Sequence, residues 1–329
     1  MQIEVALTER EIAQEFAEAL AARDLPEKFF YWSPAAVRAW TALGADSAYA
    51  DLHACWQQVA AQADQLAAPF GETCSLISLG AGDGARDRLI IDRFLAARRQ
   101  LRYFPVDASL ELLETACAAV EANERVATLG IKADISSHVH MLFAADAADS
   151  CRLFLMAGNT LGGFDPLVQA PGLARCLGDG DRLVVDGEIY SETTLERWTT
   201  PAAHAFALAP LKALGFDSRD GDVGVELKRD ERHDGLYQVR RHFSAGRDLR
   251  VPVYGQEVLI QKGERIALNF QYAYSPEAFR WILAQRGGLE VLGEFCGPER
   301  RFMAAVCRRR SAEGNVRRWA AGNNEVRNT

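Results

Sequence analysis

No run of about eighteen apolar residues occurs in the sequence, which excludes a membrane-spanning helix of ordinary length. The opening Met-Gln-Ile-Glu-Val lacks the basic start and apolar run of a secretory leader. Among the seven cysteines (Cys55, Cys74, Cys117, Cys151, Cys176, Cys296 and Cys307) there is no Cys-x-x-Cys pair, and the count is odd. Neither a zinc ribbon nor a disulfide framework is supported, and most of these cysteines read as small core hydrophobes in a reducing cytoplasm. His204, His233 and His242 match no metal-site spacing, so no metal is expected. Basic charge is not in excess. The net charge of -8 weighs against nucleic acid as a partner, because phosphate binding needs a basic face. The Arg308-Arg309-Arg310 run reads as a solvated helix or strand end. What remains, 49% hydrophobic and 25% charged over 329 residues, is enough for one large or two modest globular domains.

The most informative stretch is Ser75-Leu76-Ile77-Ser78-Leu79, an apolar run of strand length, followed by Gly80-Ala81-Gly82-Asp83-Gly84-Ala85-Arg86. Leu89, Ile90, Phe94 and Leu95 then open a helical pattern. Glycines at such a turn let the backbone approach a ligand where a Cβ would collide. The helix that follows aims its free N–H groups and positive dipole end at the same spot. Strand, glycine turn and helix together predict a nucleotide-type pocket at the carboxyl edge of a sheet. A tight turn with no ligand is the plain alternative.

Residues 8–23 form an amphipathic helical pattern with a capping box from Thr8 and Glu11. After Pro26 comes the aromatic run Phe29-Phe30-Tyr31-Trp32, and a helical reading continues to about residue 67. A second strand, 101–106, ends at Asp107, where an acid would grip a ribose diol. Ser109 is a plausible cap for the next helix, 109–121. Another acid, Asp134, follows the short segment 127–132. Buried strands are expected at 152–156 and 182–186, with a glycine-rich loop at 158–164 after the first. Strands alternating with helices imply a parallel, doubly wound sheet. A helix from Ser275-Pro276-Glu277 to Gly287-Gly288 is followed by strands at 289–295 and 301–308. Their connection is too short for a parallel crossover, so they must pair antiparallel. Residues 190–274 break the pattern, with hairpins expected of 226–232 with 235–244 and of 251–261 with 265–274. The expected organisation is a cofactor domain of 71–189 and 275–310, a substrate-binding cap of 1–70 and 190–274, and a frayed tail at 311–329.

A parallel α/β sheet finished by an antiparallel hairpin is the architecture of Class I (Rossmann-like) S-adenosylmethionine methyltransferases. The motifs resemble one family in particular, the histidine Nα-methyltransferases of ergothioneine biosynthesis and their relatives. The family's glycine motif is similar to Leu79–Arg88, with Arg86 where the family has lysine. Its PVD-x-S segment resembles Pro105-Val106-Asp107-Ala108-Ser109, and its GDF motif resembles Ala133-Asp134-Ile135. Its FLGSTIGNF stretch is mirrored by Met156–Phe164, and its KWFY by Lys28-Phe29-Phe30-Tyr31. The resemblance runs from about residue 25 to 308. It implies that Gly80, Ala81, Gly82 and Arg86 line the methionine end of S-adenosylmethionine, that Asp107 with Ala108 and Ser109 takes the ribose, and that Asp134 and Ile135 meet the adenine. Asn159 and Thr160, in the mirrored loop, complete the cofactor set.

In the acceptor pocket this chain departs from the family. The asparagine that holds the amino-acid carboxylate in the family is Gly163 here, and its tyrosine falls at or near Trp198. The family's glutamate and serine that read the imidazole align with Asn269 and Gln271. Tyr31 is retained, and Tyr49 matches a second pocket tyrosine. A lost buried hydrogen-bond partner removes roughly 1–3 kcal/mol, so several such losses argue against histidine as the substrate. The expectation is a small-molecule methyltransferase acting on nitrogen of an amino-acid-like or amine metabolite, with Tyr31 orienting the acceptor. No dedicated base is needed if the amine arrives neutral. Two other readings stand beside it. One is an NAD-type oxidoreductase using Gly80-x-Gly82-x-x-Ala85, against which the closing hairpin and the Asp134 motif weigh. The other is a non-catalytic S-adenosylmethionine-binding protein.

Overall fold

The computed structural model describes residues 1–97, 99–148 and 152–310, so the tail expected at 311–329 lies outside the described residues. The strands, in chain order, are β1 (Ile3–Val5), β2 (Thr73–Leu79), β3 (Gln100–Asp107), β4 (Val126–Thr128), β5 (Gly130–Lys132), β6 (Arg152–Met156) and β7 (Arg182–Ile189). They continue as β8 (Gly221–Arg229), β9 (Leu236–Ala245), β10 (Leu249–Val253), β11 (Gln256–Ile260), β12 (Arg265–Tyr274), β13 (Leu289–Cys296) and β14 (Phe302–Arg309).

The central strands are apolar on both faces, and their alternation sorts them into two cores. Ile77, Leu79, Phe104, Val106, Phe154 and Met156 point to one face, which is covered by helices His138–Asp146, Pro166–Cys176 and Pro276–Trp281. Leu76, Leu101, Tyr103, Leu153 and Leu155 point to the other, under helices Ala50–Ala61, Ala63–Ala67 and Ala85–Ala96. Parallel pairing runs β5–β3–β2–β6–β7, and β1 adds parallel to β5 at the edge. β14 pairs antiparallel with β7 and with β13, the closing hairpin expected from the short connection. This is the Rossmann-like Class I arrangement.

The inserted segment joins the sheet at one point. Glu188 of β7 pairs with Phe302 of β14 and, on its other side, with Ala273 of β12. β12 therefore continues the line of β6 beyond its end, and β9 and β8 pair antiparallel outward from it. The hairpin of β8 and β9 forms close to its expected limits, but the pairing expected of 251–261 with 265–274 does not. β10 turns back onto β11 through Tyr254-Gly255, both at positive φ (42° and 76°), the backbone of a tight two-residue hairpin, leaving β12 for β9. A third core, from Leu7 to Leu43 and from Trp198 to Leu268, binds the N-terminal helices to this insertion.

The single helical reading through residue 67 is broken into pieces. Ser33 caps a new helix (Pro34–Gly44) with proline at its first turn, and Asp46 caps a 3-10 turn (Ser47–Tyr49). No helix among the described residues is long and apolar enough to cross a membrane.

Candidate active site

The glycine turn sits at the carboxyl end of β2. Gly80 and Gly82 are both left-handed (φ 75° and 56°). A Cβ on Gly80 would lie 3.0 Å from Thr160 Cγ2 and 3.1 Å from Ile135 Cδ1, and one on Gly82 only 2.8 Å from Trp40 Cη2. Conformation and space both require glycine there. Asp107, at the end of β3, accepts from Gly82 N–H and Ser109 N–H at 2.9 Å each, which fixes the shape of the turn. Burial pushes the Asp107 carboxyl up, against the pull of those amides.

Asp134 is held by Lys28 Nζ at 2.7 Å, and its Oδ1 accepts from the backbone N–H and hydroxyl of Ser136. Burial raises its carboxyl, but the bonds from Lys28 and Ser136 prevail and hold it below its ordinary value. The following helix is capped by Ser137, leaving Asp134 for the cavity wall. After β6, the buried carboxylate of Asp186 accepts from Gly158 N–H (2.8 Å), Asn159 N–H (2.6 Å) and Trp56 Nε1 (2.5 Å), which shapes the loop that begins there.

These elements surround one cavity of about 590 Å³, within the usual range for small-ligand sites. Gly80, Ala81, Gly82, Arg86, Asp107 and Ala108 line it from the first half of the sheet, and Asp134, Ile135, Asn159 and Thr160 from the second. Ser109 is fully buried behind this wall and caps helix Leu110–Ala118. From the acceptor set, Tyr31, Tyr49, Trp198 and Gln271 line the cavity, whereas Gly163 and Asn269 stand one layer behind it.

Sequence reasoning missed several residues at this end. Glu27 lines the cavity; its Oε1 accepts from the Tyr31 hydroxyl at 2.5 Å and its Oε2 from Asn269 Nδ2 at 2.7 Å. Burial pushes the Glu27 carboxyl up, opposed by Arg241 and these donors, and burial likewise pushes the Tyr31 phenol far up, so it stays protonated. Glu188 lines the cavity too and is ion-paired with Arg197. The Arg241 guanidinium is buried 4.6 Å from the Trp198 ring and 5.6 Å from that of Phe206, and none of its nitrogens has a hydrogen-bond partner. Trp40 and Phe206 add aromatic wall. For Glu188 a signal existed, since it and Asp186 are acids at alternate positions of a buried strand. Glu27, between Pro26 and Lys28, reads as a solvated turn and gave none.

A parallel sheet closed by an antiparallel hairpin, a left-handed glycine turn and a buried acid at the second strand end fit S-adenosylmethionine and define an S-adenosylmethionine-dependent methyltransferase. The chain belongs to the histidine-specific, S-adenosylmethionine-dependent methyltransferase family, whose model matches residues 9–189, more than half of its length. With that assignment the dinucleotide and non-catalytic readings fall away. Among solved structures, the chain is similar to an S-adenosylmethionine-dependent methyltransferase from Clostridium acetobutylicum ATCC 824 (14% identity, TM-score 0.42, 78% of this chain and 92% of that one). It is also similar to the CcbJ methyltransferase from Streptomyces caelestis (12%, 0.39, 76% and 95%). A third is CalS10, an amino pentose methyltransferase from Micromonospora echinaspora (17%, 0.33, 76% and 91%). No curated protein matches the chain.

Proposed function

We propose that this enzyme methylates nitrogen of an amine or amino-acid-like small molecule other than histidine, as a divergent relative of the ergothioneine-type histidine Nα-methyltransferases. The observation that carries this reading is the hydrogen bond from Tyr31 to Glu27. With its proton committed to Glu27, the Tyr31 oxygen is left as an acceptor for an N–H in the cavity, and it orients that nitrogen. When bound, S-adenosylmethionine would supply an electrophilic methyl group to a neutral nitrogen placed in line with the C–S bond, the sulfur leaving with the bonding pair as a thioether.

Asn269 Nδ2 donates to Glu27 and Gln271 Oε1 accepts from Asn159 Nδ2, so these two atoms are engaged within the protein, and Asn269 does not line the cavity where the family's acid reads an imidazole. Tyr31, Trp40, Trp198 and Phe206 offer aromatic surface suited to a flat or apolar acceptor. In this reading residues 71–189 and 275–310 hold the cofactor, joined by β1 and helices Ala50–Ala61 and Ala63–Ala67, which pair with or pack on that sheet, while the remainder of 1–70 and 190–274 cover the acceptor. The shared apolar core of the N-terminal helices and the insertion supports that division.

The test is turnover of an amine and amino-acid panel with deuteromethyl-labelled S-adenosylmethionine, read by mass spectrometry. Label on nitrogen of a compound other than histidine is the expected result. Label on histidine alone, or on oxygen, sinks the proposal.

A further inference from the structure

The resemblance puts Gly163 where the family has the asparagine that holds the carboxylate of its amino-acid substrate. The backbone at Gly163 is not left-handed, so its conformation does not demand glycine. Its space is tight. A Cβ there would lie 3.1 Å from Glu27 Cγ and 3.2 Å from Glu27 Cδ. A side chain at 163 would need the Glu27 side chain to give way by a few tenths of an ångström.

The polarity of the neighbours is inverted to match. Asn269, aligned with the family's acid, is a donor at 2.7 Å to Glu27 Oε2, and Gln271 Nε2 lies 3.5 Å from Oε1. The acid has moved from β12 to the segment just before Phe29–Trp32. A carboxylate has about four acceptor positions, and Tyr31, Asn269 and Gln271 fill three, leaving one for a donor in the cavity.

Neither of the buried guanidiniums of Arg197 and Arg241 lines the cavity. Arg197 is ion-paired with Glu188, and Arg241 lies off the cavity wall against Trp198 and Phe206, its charge offsetting that of Glu27. A carboxylate on the acceptor would meet Glu27 and Glu188 on the same wall.

We propose that the acceptor is an amine without a carboxylate, recognised as the ammonium by the buried carboxylate of Glu27 packed over Gly163; one N–H proton then passes to Glu27, which frees the nitrogen lone pair for the methyl group. The proposal rests on the N-methylation reading and names its substrate class. Like-charge exclusion then acts against amino acids, and opposite charge selects for amines.

The experiment uses three pairs that differ only in the carboxylate: histamine and histidine, tryptamine and tryptophan, phenethylamine and phenylalanine. Each is titrated calorimetrically into the full chain saturated with S-adenosylhomocysteine. Wild type is expected to bind the amine of at least one pair about tenfold or more tighter than its amino acid. Glu27→Gln keeps the shape and removes the charge; it should lose that preference while keeping its affinity for S-adenosylhomocysteine, which also reports an intact fold. The double change Glu27→Ala with Gly163→Asn should shift preference toward the amino acid. Equal or tighter binding of the amino acids by wild type, a preference retained in Glu27→Gln, or binding of none of the six compounds would overturn the proposal. An amine preference without methyl transfer to nitrogen would instead remove the N-methylation reading and leave the charge selection standing.

Discussion

Asn159 donates from Nδ2 to Gln271 Oε1 at 3.0 Å, joining the loop after β6 to the strand that carries the acceptor wall. The same side chain accepts from Glu188 N–H at 3.1 Å, so one buried amide ties together three chain segments at the cavity. Asn159 is itself left-handed (φ 58°), a conformation asparagine tolerates better than most residues.

Asn159→Ala should therefore suffer twice, from backbone strain and from lost hydrogen bonds, with about 1–3 kcal/mol for each buried group left unpaired. Asn159→Gly removes the bonds and relieves the strain. Thermal melting should rank wild type above Asn159→Gly and that above Asn159→Ala. Equal melting of all three would contradict the role given to this amide.

Gly82→Ala drives a Cβ to within 2.8 Å of Trp40 at a left-handed position. Affinity for S-adenosylhomocysteine should fall about tenfold or more, and Trp40→Ala in the same chain should restore part of the loss because only the clash is removed. Asp107→Asn should weaken the same binding by a comparable factor. Calorimetry checks both, and unchanged affinity in Gly82→Ala refutes the close approach.

Asp87 is buried, accepts from the Tyr103 hydroxyl at 2.6 Å, and has its carboxyl pushed up to about 6 by burial. An acid whose folded value is raised binds more protons in the native state, so its contribution to stability is present at low pH. It is lost as pH rises from about 4, the unfolded value, through 6. Asp87→Asn should therefore gain stability relative to wild type over that window, by about 3 kcal/mol at most by pH 7. Denaturant titrations at pH 4 and pH 7 measure the difference; a constant gap would disprove it.

Lys28→Met leaves the buried Asp134 carboxylate without its main cation, at a cost of about 1–3 kcal/mol once partial exposure is allowed for. The folded value of Asp134 is lowered, so the stability it contributes is present above the unfolded value and lost as pH falls through the folded one. The deficit of Lys28→Met should shrink below about pH 4. A deficit independent of pH would count against the pair.

How much of the site was legible depended on the range of the interactions. The glycine turn, Asp107 and the closing hairpin rest on residues near one another in sequence, and those patterns read directly. The partner of β12 did not, because the alternation of residues 265–274 is the same whichever strand lies beside it. Glu27 gave no signal, since its meaning comes from Asn269 and from the space at Gly163. Arg241 is one charge in an ordinary strand until Trp198 and Phe206 close over it.

By itself the chain determined the parallel sheet, the ligand-shaped turn and the acid that ends the second strand, because backbone sterics and side-chain periodicity act over a few residues. Only the tertiary structure decided the polarity of the acceptor end. A buried charge takes its effect from what surrounds it, and 242 positions separate Glu27 from the amide that holds it.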